Sequence, residues 1–282
     1  MARKIKITVY LILLGLLLIF IRFPKTDSKN QTLKSVVEKS LEGARGTYGI
    51  VVKNLKTNEN YLLNEHKEYE AGSLYKVWIM AETFDQIQKG ELKEEDILSE
   101  DAAILNKKFN ISSESAEIKE GEVNLSVKDA LDQMITISHN YAALLLTEKI
   151  RLSKVASFLQ ENGFNESKVG TDGSVPVSTP SDIAKFFEKL YKRELANSEN
   201  TQKMIDLLKR QTLNDKLPKY LPETVELAHK TGEINYFSHD SGIVFSPKGD
   251  YTIVILSESD YPPGAEERIA QISKAVYEYF SR

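Results

Sequence analysis

Apolar positions in this chain change their period twice. Residues 31–43 place apolar side chains at Leu33, Val36, Val37 and Leu41, a helical spacing that stops at Gly43. Thr47–Lys53 and Glu59–Leu63 then read as two short strands joined through Asn54-Leu55-Lys56-Thr57-Asn58, which predicts a hairpin. After the small-residue turn Ala71-Gly72, an apolar helix is expected from Ser73 to about Lys89, ending at Gly90. Residues 91–125 are polar and weakly periodic and read as short helices and loops. Ser126-Val127-Lys128-Asp129 has the form of a capping box and opens a helix through Ala130, Leu131, Met134 and Ile135. Ser138-His139-Asn140 breaks that pattern before a leucine-rich helix from Tyr141 to Ile150, and a further helix capped by Ser153 ends at Gly163. Residues 164–178 form a loop. Thr179-Pro180-Ser181-Asp182 restarts a helix that runs to about Arg193, with Thr179 as cap, Pro180 at the first position and Asp182 closing the box. Another helix follows near 199–211.

In the last third the period turns strand-like, at Val225–Lys230, Ser241–Phe245 and Tyr251–Leu256, with a turn at Ser246–Asp250 and a final amphipathic helix over about 264–280. Strand signals at both ends with a helical block between them predict an α+β fold in three layers. An antiparallel sheet built from residues 31–66 and 222–282 is flanked by helices, and residues 67–221 form an inserted helical part. No internal repeat interrupts this plan.

Composition narrows the function classes. The chain has 282 residues, 41% hydrophobic and 28% charged, which is ordinary for a folded globular protein. The formal net charge is −4. Residues 1–22 hold four basic and no acidic residues, so the rest of the chain is more acidic still and nucleic acid is not an expected partner. The absence of cysteine rules out disulfides, thiolate zinc sites and lipidation at cysteine, and four scattered histidines make a histidine metal site improbable, so no metal or cofactor is expected. In His239-Asp240 an acid directly follows a histidine, and adjacent side chains usually point apart.

At the N-terminus, Arg3, Lys4 and Lys6 precede an uncharged run from Ile7 to Ile21 that is closed by Arg22, Phe23 and Pro24. Basic residues ahead of an apolar run keep the N-terminus in the cytoplasm and send the chain beyond the run outside. As a helix the run spans about 22 Å at a rise of about 1.5 Å per residue. That is short for a bilayer core of about 30 Å, although Lys6 and Arg22 can snorkel. A signal peptide has an apolar region of this length, but Phe-Ile-Arg-Phe-Pro offers no small-residue cleavage site. The reading is a cytoplasmic stub at 1–6, a membrane anchor or signal segment at 7–23, a linker at 24–30 and an exported, monomeric domain over 31–282.

Chemistry enters with three polar clusters. Ser73 and Lys76 lie one helical turn apart, where a lysine amine can relay the proton of a serine hydroxyl beside the free N–H groups of a helix start. A Ser-x-x-Lys spacing arises by chance about once in a chain of this size, and a helix cap followed by an exposed lysine is the bland alternative. Ser138-His139-Asn140 lies between two helices of the helical block, and Lys230-Thr231-Gly232 at the end of a strand, where glycine lets a ligand approach the backbone. In this order and on these elements, the clusters resemble the three signatures of serine β-lactamases and penicillin-binding proteins, closest to the class A β-lactamases, over residues 31–282.

The resemblance implies an acyl-serine mechanism on a β-lactam or a D-alanyl peptide. Ser73 would attack the carbonyl, Lys76 would take its proton, and Ser138 would pass a proton to the leaving nitrogen. Asn140 would hold Lys76 and the substrate's amide side chain. Lys230, Thr231 and Gly232 would line the carboxylate site, and the N–H groups of Ser73 and Glu233 would form the oxyanion hole, each such donor being worth about 3 kcal/mol in the transition state. Three residues or stretches depart from the family pattern. His139 stands where class A enzymes usually carry Asp. Glu233 stands beside the carboxylate site, where it would repel an anion unless turned away. The segment Gly170–Pro180 lacks the Glu-x-x-Leu-Asn motif whose glutamate activates the hydrolytic water, and Asp172 and Glu166 are the only carboxylates within it or just ahead of it. A β-lactamase, a D-alanyl-D-alanine carboxypeptidase and a binding or sensor module without turnover are therefore all compatible with the motifs.

Overall fold

The strand-forming ends of the chain meet in one antiparallel sheet. The computed structural model describes residues 31–282. Its N-terminal part runs α1 (Leu33–Leu41), β1 (Thr47–Asn54), β2 (Asn60–Leu63), β3 (Tyr69–Glu70), a 3-10 turn (Gly72–Tyr75) and α2 (Lys76–Lys89). The middle runs β4 (Ile97–Asp101), α3 (Ala102–Lys108), β5 (Glu122–Ser126), α4 (Val127–Thr136), α5 (Asn140–Ile150), α6 (Leu152–Glu161), β6 (Val177–Ser178), α7 (Pro180–Tyr191) and α8 (Ser198–Lys209). The chain closes with β7 (Glu226–Ile234), β8 (Phe237–Phe245), β9 (Tyr251–Glu258) and α9 (Pro262–Phe280). The main sheet has the order β2-β1-β9-β8-β7, so the first and last strands of the chain pair at its centre, Ile50 opposite Ile255 and Val52 opposite Ile253.

Both faces of this sheet are covered, which is why its inner strands read as continuous apolar runs. Tyr48, Ile50, Val52, Ile253 and Ile255 pack with Leu33 and Val37 of α1 and Ile269, Ile272 and Val276 of α9. The alternate residues Val51, Val254 and Leu256 turn the other way, into the core that the helical block shares through Trp78, Phe186 and Phe187. The α+β architecture with an inserted helical part is thus the one expected. The stub, anchor and linker expected over 1–30 lie outside the described residues, and no helix among the described residues is long and apolar enough to cross a membrane.

Local differences have local causes. The stretch 91–125 holds the hairpin β4–β5 as well as a helix; Leu98 and Val123 are the side chains it buries, too few to print an alternating pattern. The helix after Ile150 begins at Leu152, with Arg151 at the cap position in place of Ser153. Thr179 caps α7 through the N–H of Asp182, but the Asp182 carboxylate does not close the box. It accepts the N–H groups of Glu166 and Ser167 at 2.9 and 2.7 Å and so ties the preceding loop to the helix start. β7 and β8 are longer than expected because a two-residue turn, Asn235-Tyr236, joins them, with Asn235 at φ 50°. Lys230-Thr231-Gly232 therefore lies inside a strand and not at its end.

Phe164 anchors the start of the 164–178 loop, its ring 4.9 Å from Trp78 and 6.3 Å from Phe186, with 1% of its surface exposed. Phe164→Ala should lower unfolding stability by about 3–5 kcal/mol. Urea denaturation measures this, and a loss under about 1 kcal/mol would remove the loop from the cooperative core.

Candidate active site

Ser73 does not open an α-helix. It lies in the 3-10 turn Gly72–Tyr75, and α2 starts at Lys76. In 3-10 geometry residues i and i+3 share a face, so this turn keeps Lys76 on the face of Ser73 that helical spacing required. The turn is pressed against β7, the edge strand of the sheet. A Cβ on Gly232 would lie 2.5 Å from the Ala71 carbonyl oxygen, and one on Gly72 2.7 Å from the Glu233 nitrogen. Glycine at both positions lets the backbone beside Ser73 meet the backbone at Glu233.

Lys76 is fully buried. Its Nζ donates to the Ser138 carbonyl at 2.6 Å and to Asn140 Oδ1 at 2.7 Å, and lies 3.4 Å from Ser138 Oγ. Burial pulls its pKa down to about 7, partly opposed by the negative charge of Glu117. Ser138 takes the left-handed conformation at φ 59°, which costs a serine of order 1–3 kcal/mol, and this turns its carbonyl to one lysine and its hydroxyl to another. His139 Nδ1 accepts the N–H of Ala142 at 3.1 Å and caps α5, the structural task an Asp would perform there.

The second lysine is Lys230 of β7, also fully buried, whose Nζ donates to Ser138 Oγ and to the Thr231 carbonyl, both at 2.9 Å. Burial, and then the charge of Lys76, hold its pKa well below the ordinary value, and the Asp240 carboxylate works against that shift. Asp240 is itself buried, accepts the N–H of Leu217 at 3.0 Å and pairs with His229 Nδ1 at 2.9 Å. Its neighbour His239 points away, as adjacent strand residues must. His239 Nε2 donates to the Glu70 carbonyl at 2.8 Å, and burial lowers its pKa to about 4.

Lys76, Ser138, Asn140 and Lys230 are thus joined in one hydrogen-bonded network, with Ser73 on the same face as Lys76 and with Thr231 and Gly232 on the adjoining strand. Glu233 is turned aside into an ion pair with the buried Lys216. Two participants carry no motif. Glu117, from the polar stretch before β5, accepts the Asn140 amide N–H at 2.6 Å, and Lys216 precedes β7. Nothing in their spacing marks them. In the 164–178 loop, Glu166 is occupied by His66 Nδ1 and the Thr179 hydroxyl, both at 2.8 Å, and Asp172 is exposed and accepts the Ser174 N–H. Neither carboxylate is bonded to Ser73, Lys76 or Asn140.

Fold and site together define a class, the serine hydrolases built on the β-lactamase/transpeptidase-like fold. A model of the β-lactamase enzyme family matches residues 30–280, and the chain belongs to that family. The extended-spectrum β-lactamase PER-1 of Pseudomonas aeruginosa is 22% identical, with 90% of this chain and 89% of PER-1 aligned. Among solved structures, a β-lactamase from Sphaerobacter thermophilus superposes with a TM-score of 0.77 at 21% identity, covering 88% of this chain and 96% of that one. The protein named PBP-A does so with a TM-score of 0.76 at 20% identity, covering 91% and 96%. A PBP-A mutant solved as an acyl-enzyme complex with penicillin G gives 0.75 at 21% identity, covering 88% and 95%.

The Lys76 environment can be tested directly. NMR titration of lysine side chains should show one amine with a midpoint near 7, lost in Lys76→Ala. A Lys76 midpoint at the ordinary 10.5 would mean that the amine is hydrated.

Proposed function

We propose that this protein is acylated by β-lactams at Ser73 and hydrolyses the acyl-enzyme slowly. The observation that carries the reading is the pair of buried lysines, Lys76 and Lys230, joined through Ser138. As a neutral amine Lys76 has two N–H bonds, and its two short contacts, to the Ser138 carbonyl and Asn140 Oδ1, use both. The lone pair is left to take the Ser73 proton as the serine oxygen bonds to the carbonyl carbon. When the C–N bond breaks, Ser138 delivers a proton to the nitrogen and is resupplied from Lys76, while the Lys230 ammonium steadies the Ser138 oxygen. Lys230 and Thr231 bind the substrate carboxylate. The N–H groups of Ser73 and Glu233 face the developing oxyanion. PER-1, named as a β-lactamase, and PBP-A, solved as an acyl-enzyme with penicillin G, support the same chemistry here.

Slow hydrolysis follows from the commitments of Glu166 and Asp172, which leave the loop without a carboxylate base at the acyl-enzyme. The same observation favours a second reading, a D-alanyl-D-alanine carboxypeptidase acting on wall peptides, whose acylation uses the same residues. In either case we place the domain outside the cytoplasmic membrane, tethered through 7–23, because basic residues precede that apolar run. Protease accessibility in intact cells tests this, and protection of the domain would overturn it.

Mixed with a penicillin, the protein should gain the mass of one adduct that persists for minutes or longer, and Ser73→Ala should gain none. Absence of an adduct on the unsubstituted protein would sink the acyl-serine reading. Release of D-alanine from a pentapeptide analogue, with little cephalosporin hydrolysis, would select the carboxypeptidase, and the reverse would select a β-lactamase.

The pH profile has a definite sign. The neutral amine is the base, so acylation should fall about tenfold per pH unit below the Lys76 pKa and level off above it. Stopped-flow acylation rates should therefore bend near pH 7. A rate still climbing steeply past pH 9 would mean that a different group removes the proton.

A further inference from the structure

Glu117 is a carboxylate in the network that the acyl-serine reading does not use. It is exposed, its Oε1 accepts the Asn140 Nδ2 hydrogen at 2.6 Å, and no ion pair to a lysine or arginine is formed by it among the described residues. It lies on the wall of a groove of about 510 Å³ that also takes in Asn140, Tyr75 and Phe109 and reaches the 164–178 loop at Gly170 and Thr171. The other charged wall residue, Lys108, is already neutralised by Glu100 at 2.9 Å and Glu148 at 2.7 Å. On the wall beside Asn140, Glu117 thus carries a negative charge with no ion pair of its own, opposed within the network only by Lys76 on the other side of Asn140, and the aromatic residues Tyr75 and Phe109 line the same groove.

We propose that Glu117 makes this site selective for acyl donors whose side chain carries a protonated amine, by holding a carboxylate against Asn140 in the groove where that side chain lies. The proposal rests on the acyl-serine reading, in which Asn140 receives the amide of the acyl side chain. An amine one or two bonds beyond that amide comes within reach of Glu117, whereas a neutral side chain leaves the carboxylate with Asn140 alone. The competing role is orientation only. Glu117 fixes the Asn140 amide with its nitrogen toward the carboxylate and its oxygen toward Lys76, the one orientation that satisfies both neighbours. A glutamine at 117 still accepts from Asn140 through its amide oxygen, so Glu117→Gln removes the charge and keeps the orientation.

The test uses the full chain with Ser73→Ala, so that binding is read without acylation, and two probes that differ by one α-amine, ampicillin and benzylpenicillin. At pH 6, where an α-amine with a pKa of about 7.7–8.0 is protonated, ampicillin should bind about fivefold tighter, the size expected of a partly exposed ion pair. Adding Glu117→Gln should bring the ratio to about one, and Glu117→Lys should reverse it. A ratio left unchanged by Glu117→Gln, or no binding of either compound, overturns the proposal. The same compounds mixed with the unsubstituted protein report the acyl-serine chemistry by intact mass. Loss of the adduct with the binding ratio retained would count against that chemistry and still support the selectivity.

Discussion

Two lysine amines buried side by side each disfavour the other's charge, and the site is organised around that constraint. Lys76 and Lys230 are each fully buried, and each reaches Ser138. Burial alone would favour the neutral amine at both, and each positive charge makes the other costlier. Carboxylates around the pair bring the balance back only part of the way. Asp240 and Glu233 act on Lys230, and Glu117 acts on Lys76. Ser138 stands between the two amines, its carbonyl accepting from Lys76 and its hydroxyl from Lys230. In the proposed mechanism, desolvation thus prepares these groups for proton relay before any substrate arrives.

That arrangement holds only if two separately built parts of the fold are kept at a fixed distance. Lys230 belongs to the edge strand of the sheet, while Lys76 and Ser138 belong to the helical block. The paired glycines, Gly72 and Gly232, set the gap, since a methyl group on either would collide with backbone across the junction. The half-buried turn at Ser138 supplies the rest. Its left-handed backbone is a strain tolerated because the cap at His139 and the bonds to both lysines hold it in place.

The sequence makes the main sheet and the long helices legible, because their side chains are buried on regular faces and periodicity reports burial. The pattern at Leu33, Val36 and Val37, or along Tyr251–Leu256, can be read with no structure in hand. It is silent where burial is slight. β4 and β5 bury one side chain each, and β3 and β6 are two residues long. It also cannot separate a 3-10 turn from an α-helix at Ser73, since both keep residue i+3 on the same face. At the site, the residues of the three motifs converge because their order along the chain reflects a shared fold. Glu117 and Lys216 are invisible by the same reasoning. A single charged residue in a polar stretch has no period, and its partner is fixed by tertiary structure alone.

The carboxylates at this site share one property: each described one has its hydrogen-bonding directed at structure. Asp240 is taken by His229 and by backbone N–H groups, Glu233 by Lys216, Glu166 by His66 and Thr179, and Glu117 by Asn140. A carboxylate so engaged has lone pairs already committed to a neighbour. In the proposed mechanism acylation does not need a carboxylate base, since the neutral amine of Lys76 takes the proton. Hydrolysis of the acyl-serine needs a water with a base at hand, and Asp240, Glu233 and Glu166 are each bonded to a neighbour, while Glu117 lies on the groove wall beside Asn140. In the proposed mechanism, then, the charge balance that prepares Lys76 for the first half of the reaction also withholds a carboxylate from the second. A fast second half would require one of these pairs to open once the acyl group is in place.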